Sequence, residues 1–468
     1  MSYKTAKDLT LKKVNSLKLP PPKSCPELPA AVYEGRLDRL VERMAAGGLD
    51  AVVIYADREH IHNFKYFAAF DPRFEEALLV IHRDRRIFAV LGNECLGLTV
   101  NAKLPMTGVL CQILCLPNQP MESFVSMEQT MADCKLEKGM RVGAIDWKLM
   151  TPASGAGYRH MSSMPAYIHS AIVAVCGSAE LVTNETGLLI DPADGLRIRF
   201  GADEIAEFEY GATLASLAVI DMQENLKPGM TEKEVGNFIK GYGLPPSCHA
   251  MVRSGENTAR GLISPTDREI KLGDEINLTY ALPGGLTCRQ MAVARDAADL
   301  PFAGETYLEE VVKPYLATVF NWYEMLRVGV CGGDIYEMVA STFPKEKHGW
   351  FLNPGHYGAT EEWSCSPVYP GSTATVPSGA LFQMDIIPSA GPAFFSPNDE
   401  DGVVVADEAL RGELAQKHPE AYARIMARRA FMEKELGLTL HPDVLPLSNM
   451  AGKYTPFALD TELAVAVK

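Results

Sequence analysis

The stretch "EINLTYALPGGLTCRQMAVA", residues 275–294, reads as a strand, a tight turn and a second strand. After Glu275 it holds no carboxylate, and its polar groups include Thr279, Cys288 and Arg289. Arginine carries a charge that proteins do not remove by deprotonation, and its forked donors suit a carboxylate. A thiolate nucleophile needs a lowered pKa and a positioned base, so Cys288 is more simply read as buried and inert. His356, in "NPGHYG", brings an imidazole. Such a ring exchanges protons near neutral pH, and a neighbouring carboxylate fixes its tautomer. Glu361 and Glu362 follow it and read as a solvated face. His60-Ile61-His62 alternates without carboxylate or thiol company, too little for a metal centre. The chain has no Walker loop, no GxGxxG after a strand, no HExxH and no GxSxG. Nucleotide cofactors and the common serine triad are therefore unsupported.

Several elements must position these groups. At 468 residues, with 47% hydrophobic and 22% charged residues, the chain is long enough for two or three domains. A formal net charge of -15 argues against a general nucleic-acid partner. The start is polar and basic without an apolar core, no apolar run reaches the roughly 18 residues of a membrane span, and the ten cysteines include no CxxC pair. A cytoplasmic protein with reduced thiols and no membrane partner is the expectation. Residues 1–30 read as a proline-rich arm. In "GRLDRLVERMAAGGLDAVVIYAD", Leu37, Leu40, Val41 and Met44 fall on one helical face, Gly47-Gly48 stops the helix, and a buried strand follows. The spacing predicts an α/β domain over 31–195. A second domain over 196–440 opens with long helices, the later one capped by Thr231 with Glu234 three residues on. Late strands among those helices predict α+β. Residues 441–468 read as an irregular tail.

An ordered series of landmarks resembles a known superfamily. "RLDRLVERMAAGGLDAVVIYAD" resembles the N-terminal domain of aminopeptidase P, prolidase and creatinase proteins. "LKPGMTEKEV", "SGENTARG", "DREIKLGDEINL", "NPGHYG", "SGALFQMDIIP" and "DEDGVVV" resemble successive parts of their pita-bread catalytic domain. The resemblance implies an α+β pita-bread C-terminal domain, an α/β creatinase-like N-terminal domain and a homodimer. Peptidase members hold two divalent metals with Asp, Asp, His, Glu and Glu. With a one-residue gap before Gly285, Thr279 falls at the first aspartate and Arg289 at the second. His356 matches the histidine, Asp385 the first glutamate and Glu400 the second. Leu262 stands at a further family histidine, Cys288 and Cys365 fall beside the site, and His249 falls at the pocket edge.

Placed so, Arg289 would oppose metal binding. A divalent ion about 4 Å from it would meet roughly 8 kcal/mol of repulsion at an effective dielectric of 20. The expectation is a site without metal or cofactor in which Arg289 pairs with Asp385 or Glu400. Creatinase, which resembles the chain in "SGENT", is a metal-free precedent, although Leu262 and Met291 depart from it and creatine is not expected. The function implied is a metal-independent creatinase-like hydrolase cleaving a C–N bond of a small polar nitrogen compound. His356, Asp385 and Glu400 would carry catalysis, while Arg289, His249, Thr279 and Cys365 would bind substrate. Two alternatives stand beside it. One is an Xaa-Pro peptidase-like metallohydrolase with one metal on His356, Asp385 and Glu400, and the other is a non-catalytic pita-bread binding protein.

Overall fold

A computed structural model describes residues 3–302, 304–389 and 396–468. The chain divides into two compact units, one made of residues 1–27 and 198–468 and the other of residues 28–197. The first strand, β1 (Leu9–Lys13), pairs antiparallel with the last strand of the chain, Leu463–Val467. Leu9 is fully buried in the core of the larger unit. The expected independent arm and irregular tail are thus corrected. Each is one half of a ladder whose partner lies at the other end of the sequence, which a local reading cannot see. Leu9→Ala should cost about 2–5 kcal/mol, as for other buried leucines. Chemical denaturation followed by circular dichroism checks this, and an unchanged midpoint would refute the contribution of the strand.

In the unit of residues 28–197, the first helix runs Ala30–Gly47 and ends at Gly48, which adopts the left-handed conformation (φ 68°). Leu37, Leu40 and Met44 are its buried face. A six-stranded sheet follows, built from β2 (Ala51–Ala56), β3 (Ala77–His82), β4 (Ile87–Leu91), β5 (Thr107–Leu110), β6 (Val142–Ile145) and β7 (Val182–Asn184). Its order is β5-β4-β3-β2-β6-β7, with β2/β3 and β3/β4 antiparallel and the other pairs parallel. Strands β2, β3 and β4 are buried throughout, as expected of a sheet covered on both faces. Helices Met127–Asp133 and Ala166–Cys176 cover one face through Met131, Ile168 and Ile172.

The larger unit is built on a second sheet. Its strands are β8 (Cys248–Ser254), β9 (Glu275–Leu282), β10 (Gly285–Ala292), β11 (His356–Tyr357), β12 (Ala380–Met384), β13 (Asn398–Val405) and β14 (Val444–Pro446). The strand Leu463–Val467, paired with β1, is β15. The order is β11-β12-β13-β10-β9-β8, with β14 added on β13. The hairpin expected over 275–294 is β9–β10, turning at Pro283-Gly284. Helix Ala202–Asn225 lies across β9 and β10. Its Gly211 permits the approach, because a Cβ there would sit 1.8 Å from the carbonyl oxygen of Pro283. Ile276, Leu278, Tyr280, Met291, Val403, Phe382 and Met384 join the helices Ala202–Asn225 and Lys313–Met325 in one core. Among the described residues, no helix is long and apolar enough to cross a membrane.

Candidate active site

Since neighbours along a strand point to opposite faces, the register of the larger sheet decides which side chains can meet. Arg253 stands opposite Asn277, Asn277 opposite Gln290, and Gln290 opposite Asn398. Thr279 stands opposite Cys288, and Cys288 opposite Glu400. Gln383 stands opposite Gly402 and His356 opposite Gln383. All of these residues share the face turned away from the helix-packed core. Asp385 follows β12 on the same side, with its Oδ2 3.8 Å from His356 Nε2.

His356 is fully buried on the edge strand β11. Gly355 delivers it there with φ 122°, a conformation other residues resist. A Cβ at this glycine would lie 3.1 Å from the Trp322 ring and 3.3 Å from the Gln383 carbonyl oxygen. The imidazole stacks on Trp363, with ring centroids 4.0 Å apart and planes 20° apart. Nδ1 faces the Tyr357 carbonyl oxygen at 3.3 Å. Nε2 lies 3.1 Å from Glu362 Oε1, at ion-pair distance but off the direction a hydrogen bond requires, so it is left without a hydrogen-bonding partner. Asp385 Oδ1 is buried and also lacks one. Glu400 Oε1 accepts from Gln383 Nε2 at 3.4 Å. One donor atom each from His356, Glu362 and Glu400 lies within 4.8 Å of the other two.

Electrostatics follow from three acids around one imidazole. Burial pushes the Asp385 carboxyl up to about 7, against the pull of His356. Burial and then the neighbouring Asp385 raise Glu400 well above the usual carboxylate range. For His356, burial acts to lower the pKa, but Glu362 and Asp385 outweigh it and the net shift is upward. For the two acids burial is the larger cause, and only the upward shift of His356 is set by its acidic neighbours. The donor set and the two atoms without hydrogen-bonding partners fit a divalent cation of the kind bound by imidazole and carboxylates.

Several expectations are corrected by the register. Arg289 is not in this cluster. It lies on the opposite, helix-packed face of β10, is 1% exposed, and pairs with Asp399 at 2.8 Å and Asp401 at 2.6 Å. It also donates to the carbonyls of Cys288, Glu400, Lys453 and Met450. A shift of one residue reverses the face of a strand side chain, and the gap before Gly285 had that effect. Cys365 bridges Tyr357, the neighbour of His356 on the other face, and its side chain belongs to the apolar core. His249 is exposed, with Nε2 2.7 Å from the Leu262 carbonyl oxygen, and does not reach the acids. Thr279 is on the site face, but it donates to Asn277 Oδ1 at 2.8 Å and offers no charge. Cys288 also faces the site, where burial holds its thiol up and protonated. Glu362, read as a solvated face, is the acid nearest the imidazole. It is the last residue of the "GHYGATEE" loop and carried no periodic signal, since no regular element contains it.

No protein-family model and no curated protein sequence matches the chain. Solved structures do. Xaa-Pro dipeptidase from Bacillus anthracis aligns with a TM-score of 0.61 at 16% identity, covering 80% of this chain and 96% of that one. The prolidase from Pyrococcus horikoshii OT3 gives 0.61 at 16%, covering 80% and 95%. A histidine-to-alanine variant of Escherichia coli aminopeptidase P gives 0.57 at 15%, covering 86% and 99%. The chain therefore has the pita-bread fold of prolidases and aminopeptidase P. At these identities the likeness establishes architecture alone.

Proposed function

We propose that the protein is a hydrolase of C–N bonds in small amide substrates that works with a single divalent metal ion held by His356, Glu362 and Glu400. The observation that carries this reading is the grouping of the buried imidazole nitrogen His356 Nε2 with carboxylate oxygens of Glu362 and Glu400, all within 4.8 Å of one another. The structural neighbours named above, an Xaa-Pro dipeptidase and an aminopeptidase P, support the same bond type. This reading replaces the metal-independent one, because the cation assigned to balance the acids, Arg289, is spent on Asp399 and Asp401. A dinuclear centre is not supported, because the β9 and β10 residues level with Asn398 and Glu400 are Asn277, Thr279, Cys288 and Gln290, none a carboxylate, while Glu275 lies farther along β9 and accepts from Thr258.

When bound, a divalent ion would supply Lewis acidity toward an amide carbonyl and toward water. The remaining work falls to the chain itself. Asp385, with a carboxyl that titrates near neutrality and a free Oδ1, can take a proton at that oxygen and return it to a leaving amine. Trp363 fixes the plane of the His356 ring by stacking. Asn277, Gln290 and Asn398 line the neighbouring wall with amides, and the buried Asn398 Oδ1 has no partner. That wall can hydrogen-bond an amide substrate without adding charge.

Stoichiometry provides the direct test. Protein stripped with chelator and dialysed against Zn²⁺ or Mn²⁺ should retain one ion per chain by elemental analysis, and proline-containing dipeptides should be cleaved only after loading. Retention of no ion, or cleavage at full rate in the stripped protein, would overturn the reading.

A further inference from the structure

The acid-rich end of the site face has a positive counterpart two strands beyond β10. Arg253 points from β8 onto the same face as Asn277 and Gln290. It is only 8% exposed. Its neighbours set it apart from other buried arginines of this unit. Arg289 has Asp399 and Asp401, and Arg428 has Glu209. Arg253 makes no ion pair with any described residue. Its Nη1 donates to the Gly261 carbonyl. Nε is buried without a hydrogen-bonding partner, and Nη2 donates to no described residue. The free edge, Nε with Nη2, is the side-on fork that matches the two oxygens of a carboxylate.

The acids nearest to Arg253 are committed to other partners and supply no such anion. Glu232 is committed to Ser254, Asn257 and Thr266. Glu275 accepts from Thr258 Oγ1 at 2.9 Å. Both acids act on Arg253 electrostatically from beyond ion-pair distance. Burial lowers the Arg253 pKa, the cost a guanidinium bears when no anion compensates it. Gly261 and Leu262, which receive Arg253 and His249 through their carbonyls, hold this corner together. Leu262 itself is exposed.

We propose that Arg253 is the anion-recognition group of this site, so that the substrate is an amide bearing a carboxylate, which docks on the Nε–Nη2 edge. Asn277, Gln290 and Asn398 span the interval to Glu400 with neutral hydrogen-bonding groups, so the carboxylate and the acid cluster are kept apart. The assignment rests on the hydrolase reading for the bond that is broken. The binding of the anion itself needs only Arg253.

Paired probes separate the two. N-acetyl-L-proline and N-acetyl-L-prolinamide differ in the carboxylate alone, as do N-acetylglycine and its amide. Calorimetric titration of the full-length, chelator-stripped protein should show the acid of each pair binding at least about tenfold more tightly than the amide. Arg253→Met should erase that preference, and Arg253→Lys, which keeps the charge but not the fork, should retain part of it. Circular dichroism and melting confirm that each variant is folded. Equal binding of acid and amide by the native chain, no binding of either, or an undiminished preference in Arg253→Met would overturn the proposal. Glu400→Gln should abolish metal retention while keeping the acid preference. A native chain that prefers acids but holds no metal would therefore sink the metallohydrolase reading and leave the anion site standing.

Discussion

His356→Ala is expected to lose its metal ion and at least about a hundredfold in turnover of any substrate of the native chain. The bound is set by analogy with outer-shell partners, whose removal alone costs roughly 10- to 100-fold in affinity or activity. Nε2 is the one nitrogen donor in the cluster, and without it Glu362, Asp385 and Glu400 face one another with no cation between them. Carboxylates so crowded take up protons rather than bear mutual repulsion. The stripped variant should therefore stay folded while elemental analysis finds no metal. Glu362→Gln should reproduce the loss more mildly, because it removes a charge and keeps the shape. The pairing of the two measurements carries the information. Lost turnover with metal content unchanged would return His356 to a purely acid–base role and refute its part in holding an ion.

Arg289→Met should destabilise the larger unit by about 3–5 kcal/mol, the range found when one member of a buried ion pair is removed. The guanidinium is fully enclosed and faces Asp399 and Asp401 together. Both carboxyls are raised by burial and restrained by the arginine, Asp399 to about 7. Removing Arg289 leaves two buried acids and four carbonyl oxygens to find other donors. A compensating triple change, Arg289→Met with Asp399→Asn and Asp401→Asn, should recover much of the loss, since no charge is then stranded. Urea denaturation of the three proteins measures both steps. A single-variant loss below about 1 kcal/mol would show that the network is not an energetic keystone of the sheet.

Much of the architecture was legible. The 30–47 helix announced itself through Leu37, Leu40 and Met44, and the β9–β10 hairpin through its alternation and Pro283-Gly284. The ordered landmarks led to a fold that solved structures share. His356, Asp385 and Glu400 do converge, because each sits on or beside a strand whose register the landmarks fixed. What escaped was face and distance. In "NDEDG", Asp399, Glu400 and Asp401 differ by one position each, yet only the middle acid reaches the site. No composition or spacing in a one-dimensional reading distinguishes them without the partner strand. Arg289 and Arg253 exchanged significance for the same reason. The arginine in the hairpin turned inward to the helices, while the unremarked one in "MVRSG" faces the site. Glu362 escaped because loops carry no period to betray what they approach.

The closing of β1 onto β15 has a consequence for how the molecule comes into being. Lys468 donates through Nζ to the carbonyl of Lys7, 461 residues upstream. During translation β1 must therefore wait, unpaired, until residues 463–467 have left the ribosome. The intervening unit of residues 28–197 has its own core and can consolidate in the meantime. A chain cut short before residue 463 would leave β1 without its partner and with its strand edge exposed.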